Sequence, residues 1–166
     1  MGVYLNPGNV DFQEVLNSKI YVDKSELIQY TNSVLRTTQK YICVSRPRRF
    51  GKSMAANMLT AYYSRGCDSR EMFQGLKIAK HTGFEEHLNQ YNVIHLNMRD
   101  YLTESENMKQ LIQFVEEDLL DELQQEFADL RMPRRRTLVK VLEQAFAQYK
   151  IVCLYHRRMG LHFSSA

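Results

Sequence analysis

The sequence predicts an α/β fold built on a parallel sheet, and three observations carry that prediction. Three short apolar, β-prone runs are separated by long stretches of helical periodicity. The first run passes through a basic loop straight into an amphipathic helix. The 166 residues are enough for one domain with its own core. Apolar residues at 44% and charged residues at 25%, with no repeat or low-complexity tract, argue against disorder.

The elements follow in order. Residues 1–40 read as a lead-in segment: "NPGN" is turn chemistry, and in "DKSELIQY" Asp23 is placed to cap a helix with Glu26 three residues on. Tyr41 to Ser45, "YICVS", lacks polar alternation, the pattern of a strand covered on both faces. From Lys52 onward Met54, Met58 and Tyr62 recur one turn apart with Leu59 beside them, until "RGCDS" breaks the helix. "EMFQGLKIAKHTGFEEHLNQY" reads as short helices and turns. Asn92 to Met98, "NVIHLNM", is a second buried strand. Thr103 and Glu106 form a capping box for a long helix carried by Met108, Leu111, Ile112, Val115 and Leu119. Beyond Pro133, a helix is spelled by Leu138, Val141, Leu142, Ala145 and Phe146, and "KIVCLY" begins a third strand.

Several function classes are disfavoured. Cys43, Cys67 and Cys153 are odd in number and far apart, which speaks against a disulfide framework or zinc site and for a reducing, cytoplasmic setting. No run reaches the roughly 18 apolar residues of a membrane span, and "MGVYLNPGNVDF" lacks the layout of a signal peptide. His81, His87, His95, His156 and His162 have no metal-ligand spacing and are expected to be structural or on the surface. A formal net charge of +3 does not by itself imply nucleic-acid binding. Arg99 and Asp100 follow the second strand, where open sheets place ligands, but such loop residues are commonplace.

The chemistry concentrates in "SRPRRFGKSM", Ser45 to Met54. In the phosphate loop G-x-x-x-x-G-K-[ST], backbone N–H groups surround the phosphates, the lysine reaches the β- and γ-phosphates and the hydroxyl binds Mg²⁺. Gly51, Lys52 and Ser53 fill its second half; Arg46 stands in place of the first glycine, and Pro47 biases it toward extended backbone. The nucleotide-binding candidates are Arg46, Arg48, Arg49, Gly51, Lys52 and Ser53, with Ser53 also the metal ligand, and no catalytic residue is assigned.

"RPRRFGKSM", with "DFQEVLNSKIYVDKSELI" before it and "MFQGLKIA" and "YNVIHLNM" after, resembles the bacterial AAA-ATPase-like proteins, often fused to a restriction-endonuclease-like nuclease domain. The likeness runs from about Gly8 to Cys153, and the arginine at 46 belongs to that family's own version of the loop. The resemblance implies a P-loop NTPase-like three-layer fold that binds ATP and Mg²⁺, here truncated after the third strand. The domain at 41–153 is then incomplete. "YVDKS" also matches the family, with no physical role legible in the sequence.

Hydrolysis needs an acidic element at the end of a buried strand. The resemblance implies a stretch like "IIDEWD" after "KIVC", whereas the chain reads "LYHRRMGLHFSSA". His156, Arg157 and Arg158 reverse the charge where a dication should sit, so hydrolysis is expected to be lost. Back-translating Leu154 to Phe163 and reading one nucleotide later allows "IIDEWDCIF", with the tryptophan forced by Met159 and Gly160, which marks 154–166 as an atypical, frameshifted tail. The strand that should insert beside "YICVS" is then missing, and marginal stability is expected. The rival readings are a nucleic-acid-binding module using "RPRR" and "PRRR" on a phosphate backbone, and a nonfunctional gene fragment. The three arginines before the helix at Leu138 oppose its dipole, which helix stability does not explain.

Overall fold

The computed structural model of the chain describes residues 2–45, 47, 49–130, 137–157 and 160–165, the side chains of 155–157 and 160–165 excepted. The lead-in carries helices α1 (Val10–Leu16) and α2 (Glu26–Val34). Strand β1 (Ile42–Ser45) passes through the basic loop into α3 (Lys52–Tyr63). Short pieces follow as expected: α4 (Arg70–Phe73), a 3₁₀ turn (Lys77–Lys80) and α5 (Phe84–His87). Then come β2 (Asn92–Asn97), α6 (Met98–Glu104), α7 (Met108–Glu126), α8 (Leu138–Gln148), β3 (Ile151–Arg157) and β4 (Gly160–Ser165).

The described strands form one sheet in the order β1-β4-β3-β2. β2 and β3 pair in parallel, from Asn92 opposite Ile151 to Asn97 opposite His156. β4 runs antiparallel to both β3 and β1, so β1, β2 and β3 share one direction and β4 opposes them. This corrects two expectations: the sheet is mixed, and it does not stop after the third strand. Only two residues separate β3 from β4, too few for the crossover that a parallel neighbour requires. The tail therefore supplies β1 with a partner along its whole length, from Ile42 opposite Phe163 to Ser45 opposite Gly160.

Side-chain alternation sends the sheet's residues into two cores. Val93, Val152 and Leu154 join Phe12, Ile28, Leu59, Tyr62 and Phe73 on one face. Ile94 and Ile151 join Leu119, Leu123, Val141 and Ala145 on the other. Helices thus cover both faces of the central strands, and burial of these side chains supplies the main stabilising term. Strand β1 departs from the expected pattern. Ile42 and Val44 pack on the first core while Tyr41, Cys43 and Ser45 are exposed, because β1 is an edge strand and the second core, among the described residues, does not extend to it.

A buried hydroxyl chain ties α2 to α3. Thr31 Oγ1 lies 2.6 Å from the Tyr63 hydroxyl, which donates to Asn32 Oδ1 at 2.6 Å, while the Tyr62 hydroxyl donates to the Phe84 carbonyl at 2.6 Å. Burial pushes the Tyr63 hydroxyl well above its ordinary pKa and Tyr62 up to about 12, so both stay protonated donors. On the outer side of β2, Asn6 donates its N–H to Val93 O at 2.7 Å and His95 donates to Tyr4 O at 2.8 Å. The Glu122 carboxylate accepts the N–H groups of Val3, Tyr4 and Leu5 at 2.8, 3.0 and 2.6 Å and anchors that segment. The strand edge is thereby covered.

Two helix starts differ from expectation. Thr103 lies inside α6, its hydroxyl donating to Asp100 O, and α7 is capped instead by Asn107, whose Oδ1 accepts from Gln110 N–H at 3.0 Å. The extra helix α6 restarts the chain at Asn107, and this rotates Met108 and Ile112 outward while Leu111, Leu119 and Leu123 are buried. Ser25, not Asp23, holds the N-cap position of α2, and the Asp23 carboxylate bonds elsewhere.

Candidate functional site

The turn from β1 into α3 is shaped by two left-handed residues, Arg49 (φ 66°) and Gly51 (φ 75°). Left-handed backbone is uncommon for a residue with a side chain and tends to occur where a site demands it. Gly51 is the N-cap of α3 and its carbonyl accepts the Ala55 N–H at 2.9 Å, which closes the first turn. No side chain caps this end and no acid lies in the first turn. Lys52 stands there instead, against the preference of the helix dipole for negative charge, so helix stability does not account for it.

Lys52 Nζ donates to the Pro47 carbonyl at 3.0 Å, folding the lysine back over the loop. Ser53 is exposed on the same first turn. Arg49 is exposed at the rim. Arg46 and Arg48 lie outside the described residues, as does the basic cluster at 133–136. Of the remaining candidates, Arg99 and Asp100 sit on the exposed first turn of α6, not in a loop. His95 Nδ1 is 3.2 Å from Thr60 Oγ1 and joins β2 to α3; His87 Nδ1 is 2.7 Å from the Tyr91 hydroxyl, and burial lowers its pKa. The side chains of His156 and His162 lie outside the described residues. Among the described residues there is no cluster of three or more potential metal ligands.

The sequence reading missed the wall that faces the loop. A cavity of about 250 Å³ opens beside Gly51, lined by Phe12, Tyr21, Val22, Phe50, Met54 and Met58, among others. Its size is near the lower end for small-ligand pockets, and aromatic and methionine side chains suit a flat apolar group. Lys24 also lines it, and its Nζ donates to the Phe50 carbonyl at 3.2 Å. Burial, then the Asp23 charge, pushes the Tyr21 hydroxyl up to about 12.

"YVDKS" now has a physical role. Asp23 Oδ1 accepts the Ser25 N–H at 2.8 Å and Oδ2 accepts the Lys77 N–H at 2.8 Å, while Ser25 Oγ accepts the Ile78 N–H at 3.1 Å. Asp23 and Ser25 therefore hold the 3₁₀ turn, and Lys24 between them reaches the loop. Burial raises the Asp23 pKa, yet the N–H groups of Lys77 and Ser25 outweigh it and hold the carboxyl below its ordinary 3.8. The signal in the sequence was Asp and Ser two apart with a lysine between, which projects like types together only once the segment is extended.

Comparison with known proteins adds one match. The family model described as predicted AAA-ATPase matches residues 7–154. No curated protein and no solved structure matches the chain.

Proposed function

The chain belongs to the predicted AAA-ATPase family, and from that premise we propose that it binds Mg-ATP at the amino end of α3. The observation that carries this reading is the turn itself: an uncapped 12-residue helix beginning at a left-handed glycine, with a lysine where the dipole calls for an anion. The residues fit the ligand. Gly51, left-handed and without a Cβ, lets phosphate oxygens approach the backbone N–H groups of the turn. Lys52 exchanges the Pro47 carbonyl for the β- and γ-phosphates, Ser53 holds Mg²⁺, and Arg46, Arg48 and Arg49 add guanidinium contacts. The adjoining apolar cavity takes the base.

Hydrolysis is absent from this reading. The end of β3 carries Tyr155, His156 and Arg157 where acids would be needed, so no residue of β3 balances the dication or polarises a water. Calorimetric titration with Mg-ATP tests the proposal. Lys52→Ala should weaken binding by about 1.5–3 kcal/mol, roughly 10- to 150-fold, and no phosphate should be released. Binding indifferent to Lys52→Ala overturns it. Affinity for DNA that fades steeply with salt and ignores that variant would favour the basic clusters as a nucleic-acid interface.

A further inference from the structure

We propose that Lys24, supplied by the lead-in segment, is a positioning residue for the phosphate loop: it fixes the Phe50–Gly51 peptide so that the Gly51 N–H faces the phosphates. The inference rests on the nucleotide-binding reading above. Its ground is the hydrogen bond from Lys24 Nζ to the Phe50 carbonyl. The described peptide bonds are all trans, and in a trans peptide the carbonyl of one residue and the N–H of the next point to opposite sides. Drawing the Phe50 carbonyl toward the lead-in therefore turns the Gly51 N–H away from the lead-in.

The lysine is itself held. Asp23 and Ser25, on either side of it in sequence, are bonded to the 3₁₀ turn at Lys77 and Ile78, which fixes the stretch that presents Lys24. Gly51 needs such a restraint, because glycine reaches left-handed and right-handed backbone with nearly equal ease. Three separated stretches, "YVDKS", "FGKS" and "LKIA", are thus one mechanical unit. Lys24 is exposed and its bond is at the surface, so it contributes little to stability.

The test compares Mg-ATP, inorganic tripolyphosphate and adenosine as probes on the full chain and on Lys24→Ala, Lys24→Arg, Lys24→Gln and Lys52→Ala. Lys24→Ala should lower affinity for Mg-ATP and tripolyphosphate about tenfold, corresponding to one charge-assisted hydrogen bond, change adenosine binding less than that although Lys24 also lines the cavity, and leave Tm unchanged. Lys24→Arg and Lys24→Gln, which keep a donor, should each recover most of the loss. In ¹⁵N spectra the Gly51 amide should shift on adding tripolyphosphate in the wild type and not in Lys24→Ala. If Lys24→Ala binds Mg-ATP like the wild type while Lys52→Ala does not, the positioning role is wrong and the nucleotide site stands. If Lys24→Gln is as weak as Lys24→Ala, charge and not the held peptide is what matters, and the proposal fails. If the wild type binds neither Mg-ATP nor tripolyphosphate, both readings fall.

Discussion

Gly51 and Lys52 show how much a pair of residues can carry. Both were legible, because G-K-S between a β-prone run and a helical pattern specifies a strand, a turn and a helix amino end. Lys24 was not, because its role depends on a contact across 26 residues of sequence. The glycine's left-handed backbone gives a direct prediction. Gly51→Ala should cost about 1–2 kcal/mol in urea unfolding, the penalty of placing a side chain in that left-handed region, and should weaken Mg-ATP binding as far as the turn shifts to relieve it. An unchanged midpoint would mean that the loop relaxes out of the left-handed turn.

Among the elements, helices with strong periodicity were read correctly, while the caps of α2 and α7 were not. α7 and α8 occupy the stretches expected of them, yet α7 is capped by Asn107 and not Thr103, since the chain spends Met98–Glu104 in a separate short helix. Capping strings are short, and neighbouring ones compete until packing selects among them. The start of α2 makes the same point with a measurable consequence. Asp23 has its pKa lowered on folding, so the stability it contributes is present above its ordinary 3.8 and is lost as pH falls through the lower folded value. Asp23→Asn, which removes the titration, should flatten the decline in stability below about pH 4 at a cost near 1 kcal/mol at neutral pH, discounted for partial exposure. Hydrogen exchange at the Lys77 amide should speed up in the same variant. If exchange there is unaltered, the clamp between lead-in and 3₁₀ turn does not hold in solution.

At the scale of the whole molecule, the tail decides the sheet. Residues 154–166 read as foreign to the fold, but Gly160–Ser165 fills the place between β1 and β3. A chain ending at Arg157 would leave all four residues of β1 without their pairing partner. Such a chain should lose soluble yield and elute as aggregate in size-exclusion chromatography, since an unpaired strand edge templates association. A monomer of unchanged Tm would show that β4 does not support β1. Across the described residues no helix is long and apolar enough to cross a membrane.

By itself the sequence determined the alternation of strands and helices, the shared direction of β1, β2 and β3, and the place of the Gly51–Lys52 turn between β1 and α3, because periodicity and turn chemistry act over one or two turns of chain. Only the tertiary structure decided the strand order, the exposed face of β1, the partner supplied by the tail and the union of "YVDKS" with the loop. Those depend on contacts between residues far apart in sequence, whose formation is governed by the packing of the whole sheet and its two cores and leaves no local pattern to read.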